Sequence, residues 1–118
     1  MGSEFGDDVP PPAERRPARR KRVLLAGIVA YADGARSFDC TIRNVSQTGA
    51  RIVMGKNQQF PTDFYLINVR DRIAYDAKVI WNDGSEVGVT FKKTYPLSEL
   101  TEPKLSFLKR LWLSKAAR

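Results

Sequence analysis

From residue 23 to residue 91 the chain consists of short apolar runs of period two, each broken by turn residues after roughly 8 to 12 positions. Successive side chains of a strand point to opposite faces, so a run with every second residue apolar buries one face and wets the other. Six such runs can be read. The first spans 23–31 and ends at Ala32, Asp33 and Gly34; the second, Ser37–Val45, sets Phe38, Cys40 and Ile42 inward against Asp39, Thr41 and Arg43. After a polar turn at 47–49, Ala50, Ile52 and Met54 alternate with Arg51 and Val53, which predicts a hairpin between the second and third strands. A loop at 55–61 leads to a fourth strand at 64–69. A fifth at 73–81 places Tyr75, Ala77, Val79 and Trp81 on one face, and Trp81 is assigned to the core. The sixth, 86–91, groups Val87, Val89 and Phe91, with Gly88 where a neighbouring backbone comes close. Six strands on one core predict an all-β fold, a six-stranded antiparallel β-barrel.

Past the barrel the period lengthens. Leu105, Leu108, Leu111 and Trp112 fall at helical spacing beside Lys104, Lys109 and Arg110, predicting a terminal amphipathic helix over 101–113. Thr101 is the expected N-cap, with Glu102 and Pro103 in the first turn. Such a helix caps the barrel or offers its stripe to a partner protein or membrane surface.

At 118 residues the chain can close one core without disulfides or metals as staples. Its net charge of +7 is concentrated: Arg15, Arg16, Arg19, Arg20, Lys21 and Arg22 follow one another with no acid between. Without these six, the remaining Lys and Arg balance the 13 Asp and Glu to within one charge. A cationic arm on a neutral body suits capture of a compact polyanion better than the broad basic face of a duplex binder. Pro17 and mutual repulsion keep this arm, 14–22, from being a stable helix. Before it lies a leader, 1–13, in which Met-Gly-Ser-Glu-Phe at 1–5 reads as an expression scar and Pro10, Pro11 and Pro12 resist helix. The domain proper is therefore read as 14–118, with the barrel at 23–91. No secretory leader and no membrane span are expected. A single cysteine, Cys40, on an inward position reads as a buried structural thiol in a reducing cytoplasm. With no histidine in the chain, the usual acid-base, nucleophile and zinc arrangements lack their parts, so neither catalysis nor a metal or cofactor is expected.

Two motifs stand at the places where such a barrel would bring them together. Arg16-Pro17-Ala18-Arg19-Arg20 is an R-x-x-x-R just before the first strand, and Asn44-Val45-Ser46-Gln47-Thr48-Gly49 is an N-x-S-x-x-G across the turn between strands two and three. In an antiparallel barrel the start of strand one and the end of strand two share one end, so the arm can close over that turn. Arginine's planar fork bonds bidentately to phosphate or to the O6 and N7 edge of guanine, and it stacks on flat rings. Asn44 offers a donor and an acceptor, Ser46 a hydroxyl, and Gly49 a positive φ and room for a ligand. Arg43 and Arg51, flanking the turn on its wetted face, are secondary candidates.

Over residues 14–91 the chain resembles the PilZ family, in an R-x-x-x-R and a [D/N]-x-S-x-x-G on a six-stranded barrel. Ser46-Gln47-Thr48-Gly49-Ala50-Arg51 and the run from Val79-Ile80-Trp81 to Val87-Gly88-Val89-Thr90-Phe91 are similar to the family's strands too. The resemblance implies a receptor for cyclic di-GMP, bound singly or as a stacked dimer. Arg16 and Arg20 then stand for the arginine pair, and Asn44, Ser46 and Gly49 for the second motif. The crowded arginine run leaves Arg15 and Arg19 as the alternative pair, with Arg15 also fitting the extra arginine associated with a ligand dimer. Ligand binding would order the arm and signal to an unidentified downstream protein, in motility, exopolysaccharide or biofilm control. A different class of reading is a small barrel that takes RNA or single-stranded DNA through the arm, and the neutral body argues against it.

Overall fold

The computed structural model describes residues 21–53 and 61–117. Its six strands are β1 (Lys21–Ala30), β2 (Ser37–Val45), β3 (Gly49–Val53), β4 (Asp63–Asn68), β5 (Ile73–Asn82) and β6 (Glu86–Pro96), followed by one helix, α1 (Ser106–Ala116). Every pairing is antiparallel, and the order β1-β2-β3-β6-β5-β4 closes on itself through β1 and β4. The expected barrel and terminal helix are both present. The leader and most of the arginine arm lie outside the described residues.

Two apolar clusters hold the molecule together, and strand parity separates them. Leu25, Val29, Cys40, Ile42, Ala50, Ile52, Phe64, Leu66, Tyr75, Ala77, Val87 and Val89 fill the barrel. On the opposite parity, Ile28 and Ala30 of β1, Ile67 of β4 and Ala74 of β5 face outward and are buried beneath Leu105 and Leu108. Strands covered on both faces read as continuous apolar runs, which is why β1 is buried without alternation from Gly27 to Ala30, while Leu24 before it is exposed. Burying a side chain the size of Leu108 contributes about 1.5–3 kcal/mol, so α1 is a structural wall of the barrel. Its far end is tied by Lys115 to Asp39 at the start of β2, 2.8 Å.

Three expectations differ. The helix predicted over 101–113 is instead two single 3-10 turns, Leu97–Glu99 and Pro103–Leu105, before α1 starts at Ser106. Pro103 is the cause: the residue before a proline is pushed to extended geometry, and Glu102 sits at φ −70, ψ 122. Thr101 caps nothing; Leu105 holds the N-cap position with no side-chain cap, fixed there by its own burial. β6, expected at 86–91, runs on to Pro96 by pairing with the start of β5 across a bulge at Asp76 and Ala77.

Trp81 is the third departure. Val79 pairs with Val89 but Trp81 with Gly88, so one extra residue on β5 breaks the alternation. The bulge turns the indole out of the core and leaves it 40% exposed. It lies flat against Gly88, where any Cβ would run into the ring. The neighbour that requires glycine at 88 is thus a side chain, not a backbone.

Candidate functional site

The polar turn between β2 and β3 is held by its own side chains. Ser46 N–H donates to the Gly49 carbonyl at 2.9 Å, and the Ser46 hydroxyl accepts the Thr48 N–H at 3.2 Å while standing 3.2 Å from the Thr48 hydroxyl. Serine is used here because its short hydroxyl can substitute for a backbone group two residues on. The Thr48 carbonyl then accepts from Phe91 N–H at 2.9 Å and from the Thr90 hydroxyl at 3.2 Å, which ties the turn to β6.

Gly49 is needed for close approach. A Cβ there would collide with the carbonyl oxygen of Val89, across the β3–β6 ladder. The positive φ expected of it is absent: among the described glycines that conformation belongs to Gly34 and Gly84.

Asn44 is half-buried at a junction of three strands. Its Cα partner is Arg22 on β1 and Arg51 on β3, and Lys21 stands opposite Val45. The register on either side of it is interrupted, between Arg22 and Leu25 and between Ile42 and Asn44. The chain therefore enters β1 directly beside the N-x-S-x-x-G turn, as the antiparallel argument requires. Arg15, Arg16, Arg19 and Arg20 lie outside the described residues.

Arg43 and Arg51 converge on one carboxylate. Arg43 Nη1 donates to Glu86 Oε2 at 2.8 Å, and Arg51 Nε stands 3.4 Å from Glu86 Oε1. The second contact is an ion pair without hydrogen-bond alignment, and buried Arg51 Nε has no hydrogen-bond partner among the described residues. The Arg51 guanidinium also lies 5.9 Å from the centroid of the Trp81 ring. Two guanidiniums, one carboxylate and one exposed indole thus share the outer wall of β2, β3, β6 and β5. One net positive charge, a flat π surface and the amide of Asn44 are a set suited to a planar, anionic, hydrogen-bonding ligand.

Glu86 and Trp81 are the members that sequence reasoning missed. Glu86 lies 43 residues from Arg43, with no local pattern to connect them. For Trp81 a signal existed in Gly88, whose missing side chain is what the indole covers.

Cys40 is buried, and burial, aided by the Asp39 charge, pushes its thiol up to about 12. It is a packing residue with no nucleophilic character at neutral pH. Among the described residues no group of His, Cys, Asp and Glu could hold a metal ion, and no helix is long and apolar enough to cross a membrane.

Comparison with known proteins places this geometry. No curated protein matches the sequence. The structure is similar to that of Bacillus subtilis Inhibitor of motility (MotI/DgrA), with a TM-score of 0.53 and 15% identity over 89% of this chain and 52% of that one. The chain thus spans about half the length of that protein, and at this identity the likeness is one of fold. It is also similar to the PilZ domain of CeSA from a cellulose-synthesizing bacterium, with a TM-score of 0.47 and 15% identity over 84% of this chain and 99% of that one. The family model described as PilZ domain matches residues 14–102, which takes in both motifs, the whole barrel and its outward cluster of arginines, and this chain belongs to the PilZ domain family.

Proposed function

We propose that this domain is a non-catalytic receptor for cyclic di-GMP, bound where the arm meets the β2–β3 turn. Arg16 and Arg20 would take phosphate and guanine edges, Asn44 a base edge, and Ser46 and Gly49 would shape the corner that the ligand enters. Arg43 and Arg51 are assigned to the anionic ligand in second place, with Arg15 and Arg19 as the alternative arm contacts. Trp81 adds a stacking surface beside Arg51.

The observation that carries this reading is the β1–β2 register. With Arg22 opposite Asn44, β1 begins beside the polar turn and the wall bearing Arg43 and Arg51, and the arginine run immediately precedes it in sequence. Closure of the arm over bound ligand would create the surface read by a downstream protein, in control of motility, exopolysaccharide or biofilm.

Titration calorimetry with cyclic di-GMP tests the reading. Saturable heat is expected from the intact chain, with the stoichiometry distinguishing one ligand from a stacked pair. Arg16→Ala and Arg20→Ala should each weaken binding by about tenfold or more, since a hydrogen bond to a charged group is worth about 1.5–3 kcal/mol. Absence of binding in the intact protein, or equal affinity after both substitutions, sinks it.

A further inference from the structure

A groove of about 230 Å³ lies on the helix side of the barrel, lined by Arg72, Leu97, Ser98, Lys109, Trp112 and Leu113. Its walls are fixed. Trp112 Nε1 donates to the Val69 carbonyl at 2.8 Å, and Leu97 N–H donates to the Arg72 carbonyl at 2.9 Å. Arg72 itself is the one described non-glycine residue at positive φ, 58°, and its guanidinium lies 5.6 Å from the centroid of the Trp112 ring.

Among the described residues no acid lies within ion-pair distance of Arg72 or Lys109. The nearest candidate by sequence, Asp71, is committed elsewhere: Oδ1 accepts from Arg70 Nε at 3.0 Å and Oδ2 from Asn68 Nδ2 at 3.1 Å. Apart from the two cations and Ser98 the lining is aliphatic and aromatic, and Leu113 is 57% exposed at the rim. A concave apolar floor under two positive charges that have no acid partner among the described residues is complementary to an apolar group flanked by anions. Its volume is below the roughly 300–1,000 Å³ usual for drug-sized ligands and well matched to one large side chain.

We propose that this groove docks an acidic peptide segment of a partner protein, seating one aromatic or large aliphatic side chain against Leu97, Trp112 and Leu113 and pairing flanking carboxylates with Arg72 and Lys109. The site is on the face formed by α1 and the β4–β5 turn, and its ligand is independent of the messenger.

The test uses the full chain and the pentapeptide acetyl-Asp-Asp-Phe-Asp-Asp-amide, followed by the indole N–H resonances of Trp112 and Trp81. A saturable shift of Trp112 is expected, at least tenfold tighter than for peptides with Lys in place of Asp or Ser in place of Phe. In the Arg72→Gln/Lys109→Gln double variant, whose substitutions leave the apolar packing in place, affinity should fall at least tenfold. The proposal is overturned if the three peptides bind alike, if the double variant binds as well as the parent, or if Trp81 alone responds. Binding that appears only after removal of residues 1–13 would assign the groove to the chain's own acidic leader. Association with anionic vesicles that the double variant loses, without peptide binding, would assign it to a membrane; either result refutes a peptide partner.

Discussion

Glu86→Gln removes the one negative charge that stands between Arg43 and Arg51 while keeping the side chain's size and its place on β6. This carboxylate contacts both guanidiniums, at 2.8 and 3.4 Å. An anionic ligand that uses Arg43 or Arg51 must displace it. The arginine side chains are 50% and 39% exposed, so solvent screens the attraction and each contact is worth only about 0.2–1 kcal/mol. Losing the competition from both contacts amounts to about 1 kcal/mol, which corresponds to about fivefold tighter binding of cyclic di-GMP. Calorimetry at two ionic strengths reads it: the gain should be largest near 50 mM salt and shrink as the Debye length contracts. Thermal melting of the variant should fall slightly, by no more than those two contacts contribute. Weaker binding with an unchanged melt would refute the reasoning, because it would mean that Glu86 orients the arginines for the ligand and does not compete with it. Unchanged affinity at both salts would remove Arg43 and Arg51 from the site.

Gly49→Ala should destabilise the barrel by about 1–3 kcal/mol in urea unfolding, because the added methyl meets the backbone carbonyl of Val89 and no side-chain rotation relieves it; a variant as stable as the parent would show that the β3–β6 ladder yields there. Native Cys40 should react with a thiol reagent at pH 8 on the order of a thousandfold more slowly than the urea-unfolded chain, since its thiol is raised from 9.0 to about 12. The same shift has a sign for stability: the thiol form favours folding fully below pH 9, and that contribution is lost as pH rises toward 12, so Cys40→Ala should flatten the alkaline fall of the melting temperature.

How far the fold could be read in advance depended on whether each segment's burial followed a single period. β2 was legible to its end residues, Ser37 and Val45, because one face is wet and both ends meet turns. β6 was read only to Phe91 because Lys92, Lys93 and Thr94 point to solvent and carry no apolar beat; Lys92 contributes through Asp63, 2.9 Å, and Asp76, 3.7 Å. The helix start was misplaced because Thr101 and Glu102 have the composition of a cap while Pro103 dictates the geometry of the residue before it.

At the candidate site the legible part is the part whose chemistry is local. Ser46, Thr48 and Gly49 organise one another within four residues, so a polar turn could be recognised from spacing alone. The wall beside it could not, since it is assembled by register. A single bulge on β5 converts Trp81 from the next member of an inward series into an outward ring beside Arg51, and the same ladder brings Glu86 to within reach of two arginines from different strands. Bulges cost the sheet a regular hydrogen bond and recur where a side chain must be re-aimed. Here they interrupt the ladders of β1 and β3 with β2 around Asn44 and that of β5 with β6 beside Trp81, with a further one at Asp76 and Ala77 that lets β6 run on to Pro96. Three of the four irregularities that defeat a period-two reading therefore lie where the sheet departs from simple core packing to expose charge and π surface. A restored alternation at residue 80, by deleting Ile80, should return the indole to the interior parity and strip that wall of the ring beside Arg51.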